Sequence, residues 1–310
     1  MKTIRIGTRG SRLALIQSEQ VRDILHSNFP DDTFELVVIK TTGDKILDAP
    51  LSKIGDKGLF TKEIEKELLD GSVDLAVHSM KDMPTELPKG LSIGAVTARI
   101  NPLDLFISRS GKRLRELKQG DTVATGSLRR KAQIRAFMPG LNIVEMRGNV
   151  ESRIRKMMDN PDMDGIILAC AGVARLAIKN IVSEIVPEDI ILPAAGQASL
   201  AIEIREDDRA IETIVAPLDD RDSRNAIASE RAFLSELGGG CQVPIAALAR
   251  ISGDMLTLAG MVADLDGKRV FRGSASGPVS DYNRIGRNLA RKLMDDGAKK
   301  ILEQIYGRQL

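Results

Sequence analysis

The segment Leu237-Gly238-Gly239-Gly240-Cys241-Gln242-Val243-Pro244 places one of only two cysteines behind three glycines. Glycine lacks a Cβ, so such a loop can pass close to another group and present the thiol at its tip. Residue types alone leave two readings open, a turn with an incidental cysteine or a reachable sulfur. A second segment, Val77-His78-Ser79-Met80-Lys81-Asp82-Met83-Pro84, ends an apolar strand in Ser79, Lys81 and Asp82. Taken alone it reads as a loop with a capping aspartate. Beside cations in a cleft, the same aspartate could steady a developing positive charge or move a proton. With no His–Ser or His–Cys arrangement evident, Asp82 is the candidate general acid/base.

Cations to accompany it lie between Thr125 and Lys156. Arg129, Arg130, Lys131, Arg135, Arg147, Arg153, Arg155 and Lys156 are opposed there only by Glu145 and Glu151. Runs of charge are usually solvated faces. Here Arg129 and Arg130 sit in the first turn of an expected helix, where the dipole disfavours cations. Arg147 precedes Gly148-Asn149 at the carboxyl end of an expected parallel sheet, where α/β proteins bind ligands. Guanidinium forks suit carboxylates and phosphates, so the cluster points to an anion site, with Lys131, Arg155 and Lys156 its solvated members.

The elements that must position these groups alternate. Strands are expected at Ile4–Thr8, Phe34–Lys40 and Val73–Val77, with helices after Ser11 and over Phe60–Leu69. After Ile100-Asn101-Pro102 the pattern restarts: a strand at Thr122–Thr125, a helix over Ser127–Phe137, a strand at Asn142–Met146, a helix over Val150–Met158 and a strand at Gly165–Cys170. Thr8-Arg9-Gly10-Ser11 and Thr125-Gly126-Ser127-Leu128-Arg129 both put a glycine and a hydroxyl residue where a strand becomes a helix. This weak internal repeat fits two similar α/β domains with largely parallel sheets facing a cleft. Ser199–Arg205 is expected to return to the first domain. Alternating strands at Ile245–Ile251, Leu256–Val262 and Lys268–Gly273 and one long helix, Asp281–Gln304, form a small α+β C-terminal domain. The expected boundaries are 1–99 with about 194–217, then 100–193, then 218–310.

Composition narrows the classes. A chain of 310 residues exceeds one ordinary core. Aromatic residues make up 3%, and the net charge is +2. A nucleic-acid platform is therefore not expected, and no global field favours a membrane. The chain has neither a signal peptide nor a spanning segment, so it reads as cytoplasmic, with both cysteines reduced. Two histidines and two scattered cysteines make no zinc site. No Walker A or dinucleotide glycine spacing appears. Cys170 closes the apolar run Ile166-Ile167-Leu168-Ala169 and reads as core. No apolar stripe asks for a partner subunit, so a monomer is expected.

In order and spacing, Thr8-Arg9-Gly10-Ser11, Lys57-Gly58-Leu59-Phe60, Val77 to Pro84, Gly126-Ser127-Leu128-Arg129-Arg130, Arg147-Gly148-Asn149 and Gly239-Gly240-Cys241-Gln242-Val243-Pro244 resemble the hydroxymethylbilane synthase (porphobilinogen deaminase) family. The resemblance spans nearly the whole chain. It implies three domains, the first two similar to periplasmic-binding-protein lobes. It also implies a covalent dipyrromethane cofactor on Cys241. Porphobilinogen units are added to this primer one at a time with loss of ammonia, and the linear tetrapyrrole is released by hydrolysis. The acetate and propionate groups of a six-ring chain number about a dozen carboxylates, each wanting a charge-assisted partner. The resemblance assigns Lys81, Ser127, Arg129 and Arg130 to the cofactor. Arg9, Ser11, Arg147, Arg153, Lys57 and Arg175 fall to the substrate, and Asp82 to charge on pyrrole nitrogen. It implies no metal. Gly126 and Ala198 depart from the family, which often has serine and glycine there. A rival from another class, a two-lobed binding protein or effector domain for a small dicarboxylate, explains the repeat and the arginines. It leaves Asp82 and the Gly-Gly-Gly-Cys loop without a role.

Overall fold

The computed structural model describes residues 2–45, 58–239 and 243–307. Described residues 2–45, 58–100 and 198–224 form one compact unit, and 101–197 with 225–307 form another.

In the first unit, strands β1 (Thr3–Arg9), β2 (Thr33–Ile39), β3 (Leu75–Ser79) and β4 (Leu91–Val96) lie in one sheet with a late strand, Leu200–Arg205. The late strand, β10 in chain order, runs antiparallel between β3 and β4, giving the order β2-β1-β3-β10-β4. The expectation that Ser199–Arg205 returns to the first domain matches this pairing. Apolar residues on the strands build the core. Ile6, Leu75 and Ile202 are fully closed to solvent and pack with Val21 and Leu25 of the helix Arg12–Asn28. Each such side chain contributes about 1.5–3 kcal/mol by leaving water.

The second unit repeats the plan. Strands β5 (Asp104–Ser108), β6 (Thr122–Ala124), β7 (Asn142–Val144), β8 (Gly165–Ala169) and β9 (Glu184–Val186) are ordered β7-β6-β8-β5-β9. β6 pairs in parallel with β7 and β8, while β5 runs antiparallel between β8 and β9. Position for position, β6 stands where β1 stands, and β5 where β10 stands. The repeat read from Thr8–Ser11 and Thr125–Arg129 therefore falls on equivalent strand ends. The sheets are mixed rather than simply parallel. In each, the odd strand is the first that the chain makes after Ile100 or after Gln197. β4, β5 and β9 escape a reading by periodicity because their apolar runs are short and unalternating.

The second unit also holds a three-stranded antiparallel sheet, β11 (Ile245–Ser252), β12 (Met255–Ala263) and β13 (Val270–Pro278). Phe233 of the helix Arg221–Glu236 and Leu289 of the helix Tyr282–Leu293 fill its core with Leu258. The single helix expected over Asp281–Gln304 is broken. A π-type turn over Met294–Ala298 separates it from Lys299–Tyr306, because Gly297 adopts φ 124. The architecture is thus α/β, two five-stranded sheets plus a small α+β region at the C-terminal end. Among the described residues, no helix is long and apolar enough to cross a membrane.

Candidate active site

In the first unit, β1 ends in Arg9, and Ser11 caps the following helix by accepting from the Ala14 N–H at 3.3 Å. The Arg9 guanidinium lies over the Phe60 ring, 4.1 Å from its centroid. Such stacking fixes the plane of the guanidinium. Lys81 and Asp82 are exposed in the 3₁₀ turn Met80–Asp82 directly after β3. Two backbone bonds hold that turn. Met80 N–H donates to Ser199 O at 3.0 Å, and Met83 N–H to Met80 O at 3.2 Å. Below it, Gln17 Nε2 lies 3.2 Å from Ser79 Oγ.

In the second unit, Ser127 caps the helix Leu128–Phe137, its hydroxyl accepting from Arg130 N–H at 3.4 Å. Arg129 and Arg130 do occupy the first turn, but both are buried. Their counterion is Asp104 of β5, which is closed to solvent. Arg129 Nη1 approaches Asp104 Oδ2 at 2.8 Å, and Arg130 Nη2 approaches Oδ1 at 2.7 Å. Gln197 Nε2 adds a third donor to Asp104 at 2.9 Å. Burial by itself would raise the Asp104 carboxyl. The two guanidinium groups outweigh it and hold the carboxyl well below the ordinary range. Burial in turn lowers Arg129. Arg129 also donates to Leu192 O at 2.7 Å, and Arg130 to Ile167 O at 3.2 Å.

Arg147 differs. It follows β7, is only partly exposed, and faces Glu145 at 3.5 Å through Nε. Its Nη2 is buried with no hydrogen-bond partner among the described residues. A buried, unmatched guanidinium N–H costs free energy until an acceptor arrives. Asn149 caps the next helix, Val150–Asp159, accepting from Ser152 N–H at 2.8 Å, and Arg153 stands in that helix's first turns. Gly126, where the family often has serine, lies against Met146. A Cβ added there would stand 2.9 Å from the Met146 carbonyl oxygen.

The remaining expected site residues scatter. Arg175 is half-buried in a short helix, and burial lowers its guanidinium to about 10. Lys57 and Cys241 lie outside the described residues. Arg135 pairs with Asp266 at 3.0 Å and is a surface ion pair. Cys170 is free and buried, and burial, followed by the nearby Asp104 charge, pushes its thiol up to about 11. It is a core residue and a poor nucleophile.

Asp104 went unnoticed in the sequence because it lies outside the window that contains the arginines. The signal was available: an acid opening the apolar run Leu105-Phe106-Ile107 must be buried with a partner. Among the described residues, no cluster of histidine, cysteine and carboxylate could hold a metal ion.

The comparisons agree with the geometry. A family model described as "Porphobilinogen deaminase, dipyromethane cofactor binding domain" matches residues 4–213, and its companion C-terminal domain matches 225–295. A porphobilinogen deaminase of Syntrophomonas wolfei is 52% identical over 302 residues, 97% of this chain and 98% of that protein. One from Geobacter metallireducens is 49% identical over 309 residues, 100% of this chain and 96% of that protein. Among solved structures, the BenM effector binding domain with its effector benzoate aligns with 70% of this chain and 90% of that one, at TM-score 0.42 and 14% identity. That likeness is too slight to bear on function. The two halves of the family model and the full-length relatives place the sequence without ambiguity: this chain belongs to the porphobilinogen deaminase family.

Proposed function

We propose that this chain is a hydroxymethylbilane synthase that joins four porphobilinogen units on a dipyrromethane primer anchored at Cys241. We assign Asp82 as its acid/base residue and Arg147 as a principal carboxylate ligand. In keeping with its family, the chain is a transferase of tetrapyrrole synthesis that uses a dipyrromethane cofactor and porphobilinogen. We place this activity in the cytoplasm.

The observation that carries the residue-level reading is Arg147 Nη2, buried and without a hydrogen-bond partner among the described residues. A growing chain rich in carboxylates supplies the acceptor that this N–H lacks. Arg9, its guanidinium plane fixed on Phe60, adds a second cation. Arg129 and Arg130 reach a ligand differently. Asp104 already neutralises part of their charge, so they present a fixed, partly compensated positive wall and not two free forks. These cations and the Asn149 and Ser127 helix starts fit a group bearing several acetates and propionates.

When bound, the primer supplies a nucleophilic pyrrole carbon. In each addition the C–N bond of porphobilinogen's aminomethyl group breaks and ammonia leaves, giving a cationic azafulvene. A bound primer would accept this methylene carbon and leave one proton for a base of the chain to take up. In this reading the carboxylate of Asp82 faces the pyrrole N–H and steadies the positive charge, then accepts the proton. Lys81, its neighbour on the same exposed turn, holds a carboxylate and so orients the ring. We expect Asp82→Asn to fold normally and lose nearly all turnover, measured as product formed per loaded enzyme. Turnover at the parent rate would remove Asp82 from the mechanism.

A further inference from the structure

β3 ends in His78 and Ser79, whose side chains leave opposite faces of the sheet. Ser79 is gripped on one face by Gln17. On the other, His78 Nε2 lies 3.1 Å from Glu203 Oε2 on β10, and the two side chains are 3% and 0% exposed. In the β3–β10 register Ala76 faces Glu203 and Ala201 faces His78, so the pair are diagonal neighbours on one face. The helix Lys62–Leu69 packs on β3 and β10 and adds a second buried carboxyl, Glu65. Glu65 is raised, first by burial and then by the charge of Glu203, against the Thr61 hydroxyl, His78 and Lys62. One oxygen each of Glu65 and Glu203 has no hydrogen-bond partner among the described residues.

Three ionisable groups in a dry interface cost stability, and an apolar trio of similar volume would cost less. Packing alone therefore does not explain them. What ties them to the site is His78, which stands on β3 three and four residues before Lys81 and Asp82, on the strand that leads directly into their turn. We propose that His78 is a positioning residue: its Nε2–H donates to Glu203 and fixes the end of β3, and thereby the Lys81–Asp82 turn. The proposal rests on the role given above to Asp82.

The test uses the full chain loaded with its primer, as His78→Leu, His78→Gln, Glu203→Gln and Glu203→Leu. Glutamine at 78 can return a donor near the Nε2 position, and leucine cannot. We expect His78→Leu to lower the turnover number about tenfold with the loaded fraction unchanged, and His78→Gln to recover to within about threefold of the parent. Only His26 and His78 contribute imidazole signals, so long-range proton–nitrogen spectra read the ring directly. The parent should show a protonated Nε2 at His78 whose signal shifts in Glu203→Gln. Folded His78→Leu within twofold of the parent, or no rescue by glutamine, or an unprotonated Nε2, would each overturn the proposal. If His78→Leu does not fold, Glu203→Leu, which removes the acceptor of the His78 bond, decides: turnover reduced about threefold or more supports the linkage, and a parent-like rate refutes it. A parent without turnover would instead refute the enzyme reading, while the spectra still report on the His78 bond.

Discussion

On β5, Asp104 is closed to solvent between Arg129 and Arg130, whereas on β10, the strand that holds the same position in the other sheet's order, Glu203 is closed to solvent beside His78 and Glu65, three residues further along its strand. The strand orders match, and in both cases the buried acid sits on the one antiparallel strand. The partners differ in kind. Guanidinium groups keep their charge at any ordinary pH, so the Asp104 site is a fixed electrostatic brace. At the Glu203 site the partners are an imidazole and a second carboxyl, Glu65, which burial raises toward its uncharged form. One scaffold thus carries a fixed positive wall in one unit and a buried imidazole–carboxyl cluster in the other.

The comparison predicts unequal costs. Asp104→Asn strands two buried arginines and should lose about 3–5 kcal/mol in denaturant unfolding. Glu203→Gln keeps an acceptor for His78 and should lose about 1–2 kcal/mol. Equal losses would break the distinction. The pH limbs should also differ. The folded Asp104 carboxyl is depressed, so its contribution is complete above the ordinary aspartate range near about 4 and is lost as pH falls through the folded value. The folded Glu65 carboxyl is raised, so its contribution is present below its ordinary value and is lost as pH rises through the folded one. Stability profiles of Asp104→Asn and Glu65→Gln should lose the acid limb and the upper limb respectively. A profile unchanged in either variant would assign that limb to other groups.

Arg147 sharpens the contrast from the ligand side, because its Nη2 has no acceptor among the described residues, whereas Arg129 and Arg130 are paired with Asp104. Arg147→Leu should leave unfolding within about 1 kcal/mol of the parent and cut product formation at least tenfold, roughly the worth of one charge-assisted bond. Unchanged product formation would return Arg147 to the solvated surface. The smallest effect is expected at Ala198, the first residue of the first unit after the chain returns. It holds φ 83, a conformation that costs a residue with a Cβ about 1–2 kcal/mol. Ala198→Gly should relieve this against the entropy of glycine, for a net gain of up to about 1 kcal/mol in thermal unfolding. A clear loss would show that the buried methyl packs better than the backbone suffers.

Much of this was legible in the sequence. Period and capping gave the helices after Ser11 and Ser127, and the Thr8–Ser11 and Thr125–Arg129 repeat marked equivalent strand ends. The antiparallel strands β5 and β10 make each sheet mixed, and that depends on pairing partners far apart in the chain, such as Leu105 with Leu168. Local patterns do not encode it. The same distance hid Asp104, 25 residues before Arg129, and Glu203, 125 residues from His78. The arginine cluster was visible as composition. Its division into braced members and the partly unmatched Arg147 required the fold.

Anchoring of a dipyrromethane primer at Cys241 can be read from the intact mass and peptide map of freshly expressed protein. Only two cysteines are present, and Cys170 is buried with its thiol pushed up to about 11. One dipyrrole-sized adduct is expected on the peptide containing Cys241, none on that containing Cys170, and none in Cys241→Ser. Protein of unmodified mass, or an adduct on Cys170, would contradict it.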